Sequence, residues 1–459
     1  MDDLPAIMLV LGANLVQAGF AGDDSPRSVF PNVVASLRDR LRSSVALATN
    51  KFVGDEAMTN RGVLTLRRTM HQGTAVSWDD VERILHYIFY NELRVAPEET
   101  PILVEDHGVP GFRAAVAKLL FETYNVPAVQ FETPGILALY SLNRTTGISV
   151  HVGATMTTIT PFYEGYLLRQ ATVRVPLSGD SVTSALIAAL EARGDVALDA
   201  DDASSAWCIA EDIAEKLCYC APEPLSSEAT AEEKVYELLD GRSLTLSKEL
   251  HESTEVLFDP AGGIGRAVYD AIMACDVDLR RDLYTTIIIF GGGTMYKGFP
   301  DRLRGEVSKL APPSVKIQVI ADTARKYSVW IGGSILSSLS TFQQCWISKQ
   351  EYEEDPMVVE SGTKILTNWT FTSLPTLHCY QQWVRAAVAL RLNDMPLAKG
   401  AIQATLAALT FDEAQSQHRK RLAIEQRRRP MEAALALASV RQLQVIGHGD
   451  VTMDRTCMT

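Results

Sequence analysis

Residues 326–352 read KYSVWIGGSILSSLSTFQQCWISKQEY. Ile331, Ile335, Leu339, Phe342 and Trp346 recur every three or four residues, the spacing of one helix face, and Gly332-Gly333 stand where such a helix would open. Outward from this stretch the chain alternates between two kinds of pattern. Ala6 to Gly12 (AIMLVLG), Ile148 to Gly153 (ISVHVG) and Thr285 to Gly293 (TTIIIFGGG) are short apolar runs that end in glycine, and each reads as a buried strand. Between them, Ser77-Trp78-Asp79-Asp80 has the spacing of a capping box, and Val81, Ile84, Leu85 and Ile88 follow on one face. Strands alternating with helices predict an α/β architecture with buried sheets.

A strand–glycine–turn–strand pattern occurs twice, at 9–23 (LVLGANLVQAGFAGD) and at 149–165 (SVHVGATMTTITPFYEG). Two like halves would form a cleft between them; two unrelated hairpins would read the same way. The 459 residues suffice for two or three compact units. No apolar run reaches the roughly 20 residues that span a bilayer, so no membrane partner is expected. The acidic start Met1-Asp2-Asp3 is unlike a secretory signal and points to the cytosol or nucleus. Seven scattered cysteines form no CxxC pair, which argues against a disulfide framework or a zinc site. Net charge is −13; after Asp355 twelve Lys/Arg face eight Asp/Glu, a surplus of +4 that leaves −17 for the rest. An acidic body disfavours nucleic acid as a partner, except through the basic tail. That tail, 356–459, reads as an appended helical segment with an Arg-rich run from His418 to Arg429.

Several blocks then carry a resemblance. GFAGDDSPR (19–27), VGDEA (53–57), FYNELRVAPEE (89–99), RTTG (144–147), EKLCY (215–219) and the opening stretch at 326–352 closely resemble the actin family, in its order and at nearly its spacing, over residues 1 to about 353. The resemblance implies the actin-like fold, shared with sugar kinases: two duplicated α/β domains around a nucleotide cleft, each with a small insert subdomain. On that plan the first large domain is 1–31, 69–141 and 328–355 with its insert at 32–68. The second is 142–177 and 265–327 with its insert at 178–264. The helical extension 356–459 follows.

The resemblance also implies an ATP site, and here the chain departs from the pattern. Mg²⁺ takes oxygen ligands, and a triphosphate needs backbone N–H groups and cations. Val10 stands where the family has a metal-organising aspartate, Ala13 where it has the phosphate-binding serine and Gln17 where it has the lysine. His151 and Ala154 replace two further aspartates, Thr155 a glycine, Thr158 a histidine near the attacking water, and Pro134 the glutamine that orients it. No catalytic residue of the family is kept, so the expectation is a pseudo-ATPase without Mg²⁺. His151, with no carboxylate partner in the pattern, reads as a structural residue. The hairpin glycines Gly12 and Gly153 remain, as do nucleoside-side positions Gly179, Glu215, Gly291, Gly292, Gly293, Thr294, Met295, Tyr296 and Lys326, while Glu211 and Ala214 depart. These fit either weak, metal-free binding of ATP or ADP or structural retention of the turn alone.

Tyr140, Thr145, Ile335, Leu336, Leu339 and Thr341 match the apolar groove that actin uses for partner helices, and imply actin or actin-binding proteins as partners. Filament contacts are altered. Phe258 to Arg266 is about six residues short of the family's length, the loop Arg38 to Lys51 differs in sequence, and Gln72 replaces a histidine. Ordinary homo-filaments are therefore not expected. The leading expectation is a cytoplasmic, cytoskeletal or scaffold protein acting by protein–protein interaction. The alternatives are a functional ATP-driven filament protein, a nuclear actin-related subunit of a chromatin complex, and a drifting duplicate without a role.

Overall fold

The run expected at 6–12 forms strand Ile7–Leu11, buried along its length. The computed structural model describes residues 5–37, 51–194, 203–223, 233–238, 241–259 and 262–361, and there this strand lies within a six-stranded sheet. It pairs antiparallel with Leu15–Phe20, which pairs antiparallel with Ser28–Pro31. On its other side it lies parallel to Ile102–Glu105, which lies parallel to Ala128–Glu132. Strand Ile347–Ser348 closes that edge. The second sheet repeats the plan. Gly147–Val152 pairs antiparallel with Thr157–Tyr163 and, through it, with Tyr166–Leu167, and lies parallel to Ile287–Phe290 and then Val319–Ile320. The echo between 9–23 and 149–165 is thus the trace of two halves with one topology, an α/β fold of duplicated design.

Side chains alternate across each strand, and the two faces have different fates. Ile7, Leu9, Leu11, Ile102, Val104, Val129 and Phe131 join one core with residues of helices Trp78–His86 and Phe112–Lys118. Ile148, Val150, Val152, Ile287 and Ile289 join a second core with helices Ile264–Met273 and Phe299–Leu310. Helices Pro134–Ser141 and Ser328–Ser337 pack on the remaining faces and against each other. Glycine makes that approach feasible. A Cβ at Gly332 would sit 1.9 Å from the Leu137 carbonyl oxygen, at Gly333 2.3 Å from Met8 Sδ, and at Gly135 2.5 Å from Ser149 Oγ.

This corrects the reading of Gly332-Gly333 as a helix start: they lie in the middle of Ser328–Ser337. The helix also stops short of Leu339. Ser337 Oγ donates to Gly333 O and Ser338 Oγ to Ile335 O, side-chain bonds that compete with a helical ladder. A 3-10 turn, Ser340–Gln344, then leads to the 347–348 strand, so Phe342 and Trp346 do not extend the helix face. At Ser77 only half of the capping box forms. Its side chain accepts from Asp80 N, while the Asp80 carboxylate is taken by Lys51, Arg67 and Arg83.

The first insert is a three-stranded sheet of Val33–Leu37, Phe52–Val53 and Leu64–Arg68. The second contains helices Gly179–Arg193, Ala203–Leu217 and Glu249–Glu255 and shares the second core. The body runs on past Asp355: Val359 is fully buried in the first core, Arg113 Nη1 donates to its carbonyl, and Ala114 N donates to Glu360 Oε1. Residues 362–459 with the Arg-rich run, 38–50 of the insert loop, and 260–261 of the shortened stretch lie outside the described residues. Among the described residues no helix is long and apolar enough to cross a membrane.

Candidate functional site

The two halves face each other across a cleft of about 950 Å³. Val10, Gly12, Gln17, Pro134, His151, Gly153, Ala154, Thr158, Gly179, Glu215, Gly291, Gly292, Gly293, Met295, Tyr296 and Lys326 all line it. Thr294 lies behind that wall, fully buried, with Oγ1 donating to Gly291 O.

The first hairpin supplies the floor. Its turn is held by Asn32, a wholly buried residue whose Nδ2 donates to Gly12 O at 2.7 Å and whose backbone N donates to Asn14 O. Gln17 is buried and its Nε2 donates to Lys326 O at 3.4 Å, leaving Oε1 without a partner. Register then brings in residues that the sequence reading missed. Val10 pairs with Gln17, Leu9 with Val104, and Glu105 with Glu132. One residue on from the Leu9–Val104 pair, Val10 stands beside Glu105. Gln17, Val10, Glu105 and Glu132 therefore form one row across four strands, on the face away from the first core. Both glutamates are buried and each keeps an unpartnered Oε2. Burial, which disfavours the charged form, raises the Glu105 carboxyl and lifts that of Glu132 to about 7. The signal was present in ILVE (102–105), an apolar run, and VQFE (129–132), an alternating one, which each close on a carboxylate.

The second hairpin is electrically quieter. The His151 ring stacks on Phe290 with centroids 4.9 Å apart and planes 2° from parallel. Desolvation lowers its pKa to about 4, so it is neutral at pH 7. The N-terminus of helix Gly179–Arg193 points at this hairpin, but its first donors are already used: Gly179 N donates to Gly153 O and Asp180 N to Ala154 O. In the glycine turn, a Cβ at Gly291 would lie 2.5 Å from Val152 O, and at Gly293 2.5 Å from Val152 Cγ1. Gly291 also has φ +95°. Packing alone demands both. Gly292 faces open space.

Protein contacts join the halves over the cleft. Gln72 N donates to Thr155 Oγ1 at 3.0 Å, and Arg174 Nη2 donates to His107 O and Gly108 O. Arg68 pairs with Asp180 at 2.6 Å and Glu211 at 3.1 Å. In the groove, Tyr140 and Leu336 are 5% and 1% exposed, so both belong to the interior and not to a contact face. Thr145, Ile335 and Leu339 are half-exposed. The side chain of Thr341 lies outside the described residues.

Two like halves, each a hairpin beside parallel strands, meeting over a cleft whose two hairpin turns face one another, define the actin-type class of fold. The actin family model matches residues 1–201 and 202–364, and the chain belongs to the actin family. The fold thereby implies Mg²⁺ and ATP in the cleft, but the residues present do not fit them. Magnesium asks for carboxylates among well-placed waters, and Val10 and a neutral His151 stand on the two hairpins. Among the described residues no three His, Cys, Asp or Glu side chains gather as a metal site. A triphosphate asks for cations where its phosphates sit; the hairpin floor offers the Gln17 amide oxygen and Glu105, while the cations of the lining are Arg113, which is paired with Asp106, Arg169, Arg174 and Lys326.

Proposed function

We propose that this chain is an actin-family protein that acts by protein–protein interaction, in a cytoskeletal or scaffold role in the cytoplasm, and does not cleave ATP. The observation that carries the reading is the row Gln17–Val10–Glu105–Glu132. Phosphoryl transfer depends on positioned cations and metal, and this row supplies acceptors where charge would have to be neutralised. The direct contacts over the cleft support a fold held together without a nucleotide. Half-exposed Thr145, Ile335 and Leu339 support a narrowed groove for a partner's amphipathic helix. The Arg-rich run at 418–429 is the feature that speaks for a nuclear setting instead.

The test is nucleotide content and phosphate release of the purified full chain with Mg²⁺ and ATP, alongside sedimentation. The expected result is no stoichiometric nucleotide, no phosphate release above buffer and no ATP-dependent pelleting. Stoichiometric ATP and Mg²⁺ that turn over would overturn the proposal.

A further inference from the structure

Buried polar atoms in folded proteins nearly always have partners, and an exception calls for a physical reason such as a bound group. Seven side-chain atoms among the described residues lack one, and three of them belong to a single row: Gln17 Oε1, Glu105 Oε2 and Glu132 Oε2. They come from three strands of one sheet, on one face, and Gln17 and Glu105 line the cleft. Gln17 Oε1 can only accept, and the two glutamate oxygens accept when the carboxyls are ionised. Gln17, an uncharged residue 7% exposed, shows that the feature is more than a group of acids. Arg113, whose charge reaches Glu132, is already paired with Asp106 at 2.7 Å. Asp106 and His107 are the charged or titratable neighbours of Glu105.

The ligand these atoms call for must donate hydrogen bonds and carry positive charge. Among the described residues the metal option lacks a ligand cluster, and along this row an anion would meet unpartnered acceptors, the cations Arg113, Arg169, Arg174 and Lys326 belonging to other parts of the lining. The spacing narrows the choice. Strands lie roughly 4.8 Å apart, so Gln17 and Glu105 are about 10 Å apart across the sheet, with the apolar side chain of Val10 between them. Val329 also lines the cleft.

We infer that the cleft floor binds a small aliphatic di- or polyamine, its ammonium groups held by Gln17 Oε1 and the Glu105 carboxylate, its methylene chain over Val10, and Glu132 backing the site from the next strand. The ammonium groups satisfy the orphaned acceptors and offset the desolvation that raises the Glu105 carboxyl. The inference goes beyond the proposed function but agrees with it, since the same acceptors that repel phosphate attract the amine.

The test is calorimetric titration of the full chain with 1,4-diaminobutane, with 1-aminobutane, and with sodium chloride at matched ionic strength. A saturable 1:1 isotherm for the diamine, at least tenfold weaker for the monoamine and at least tenfold weaker in Glu105→Gln, supports the assignment. Glu105→Gln removes the ionisable carboxyl at nearly constant shape, and Gln17→Leu gives a second reading should that variant not fold. Absence of a saturable isotherm, or equal affinity in both variants and the parent, overturns it. ATP titrated into the same preparation reads the earlier proposal separately: bound and hydrolysed ATP sinks that proposal, whereas missing diamine binding sinks only this one.

Discussion

The two hairpins share a backbone and differ in electrostatics. Strands 7–11 and 15–20 carry Val10 and Gln17 in one row with two buried carboxyls, each with one unpartnered oxygen; strands 147–152 and 157–163 carry a neutral His151 against Phe290 and the hydroxyl of Thr158. Both keep the same order of neighbours, antiparallel on one side and parallel on the other. The comparison teaches that the architecture rests on the core-facing side of each strand and on glycines at close approaches. The cleft-facing side can change its charge without disturbing either. The second half also pairs its buried charge: Arg302, 1% exposed, meets both oxygens of Glu255 at 2.7 Å and Glu306 at 2.8 Å. The first half leaves Glu105 and Glu132 without such a partner.

That contrast can be broken at several points, and the largest effect belongs to the paired charge. Arg302→Ala would strand Glu255, leave Glu306 with Lys309 alone, and open space over the Phe258 ring, where the guanidinium sits. Removing one member of a buried pair costs about 3–5 kcal/mol, so the variant should unfold at markedly lower urea. Glu105→Gln, at a carboxyl of the first half that has no such cation, should instead be neutral or stabilising. If both substitutions destabilise equally, the two halves do not differ in the way described.

The next effect is one of pH. Glu132 has a folded pKa of about 7 against 4.5 in the unfolded chain, so the folded state holds a proton that the unfolded state has released. Its contribution is complete below pH 4.5 and is lost as pH rises through 7, on the order of 3 kcal/mol at 1.36 kcal/mol per unit. His151 runs the other way. With a folded pKa near 4 against 6.5, it favours folding above pH 6.5, and that contribution is lost as pH falls through 4. The two slopes oppose each other between pH 4.5 and 6.5. Urea unfolding at pH 5, 6 and 7 should show Glu132→Gln gaining a rising slope relative to the parent and His151→Gln gaining a falling one. Parallel curves for all three proteins would show that neither group is desolvated as described.

The reach of the sequence follows from the same physics. Runs such as AIMLVLG and TTIIIFGGG were legible because burial on both faces demands unbroken apolar strands, although Thr285 ends the preceding helix and the strand is only Ile287–Phe290. Actin-family membership was legible in contiguous blocks. Gly332-Gly333 misled because spacing reports a helix face but not whether a glycine marks an end or a crossing. Glu105 and Glu132 were missed for a different reason. A carboxylate after an apolar run looks like the start of a solvated turn, and only the register between strands 27 residues apart shows that two of them lie side by side. Asn32, which holds the first turn, likewise gives no signal until the chain has folded.

The smallest effect tests whether the halves are joined by the protein itself. Arg68 reaches from the first insert to Asp180 and Glu211 of the second, all three about one-fifth exposed. Such a partly screened pair contributes less than a buried one, roughly 0.2–1 kcal/mol for exposed cases and somewhat more here. A double-mutant cycle of Arg68→Leu and Asp180→Asn isolates that coupling from side effects of each change. The expected coupling is about 1 kcal/mol, reduced by added salt, and the same whether Mg²⁺ and ATP or EDTA are present. A coupling that vanishes without nucleotide would mean that a ligand, and not Arg68, sets the distance between the two inserts.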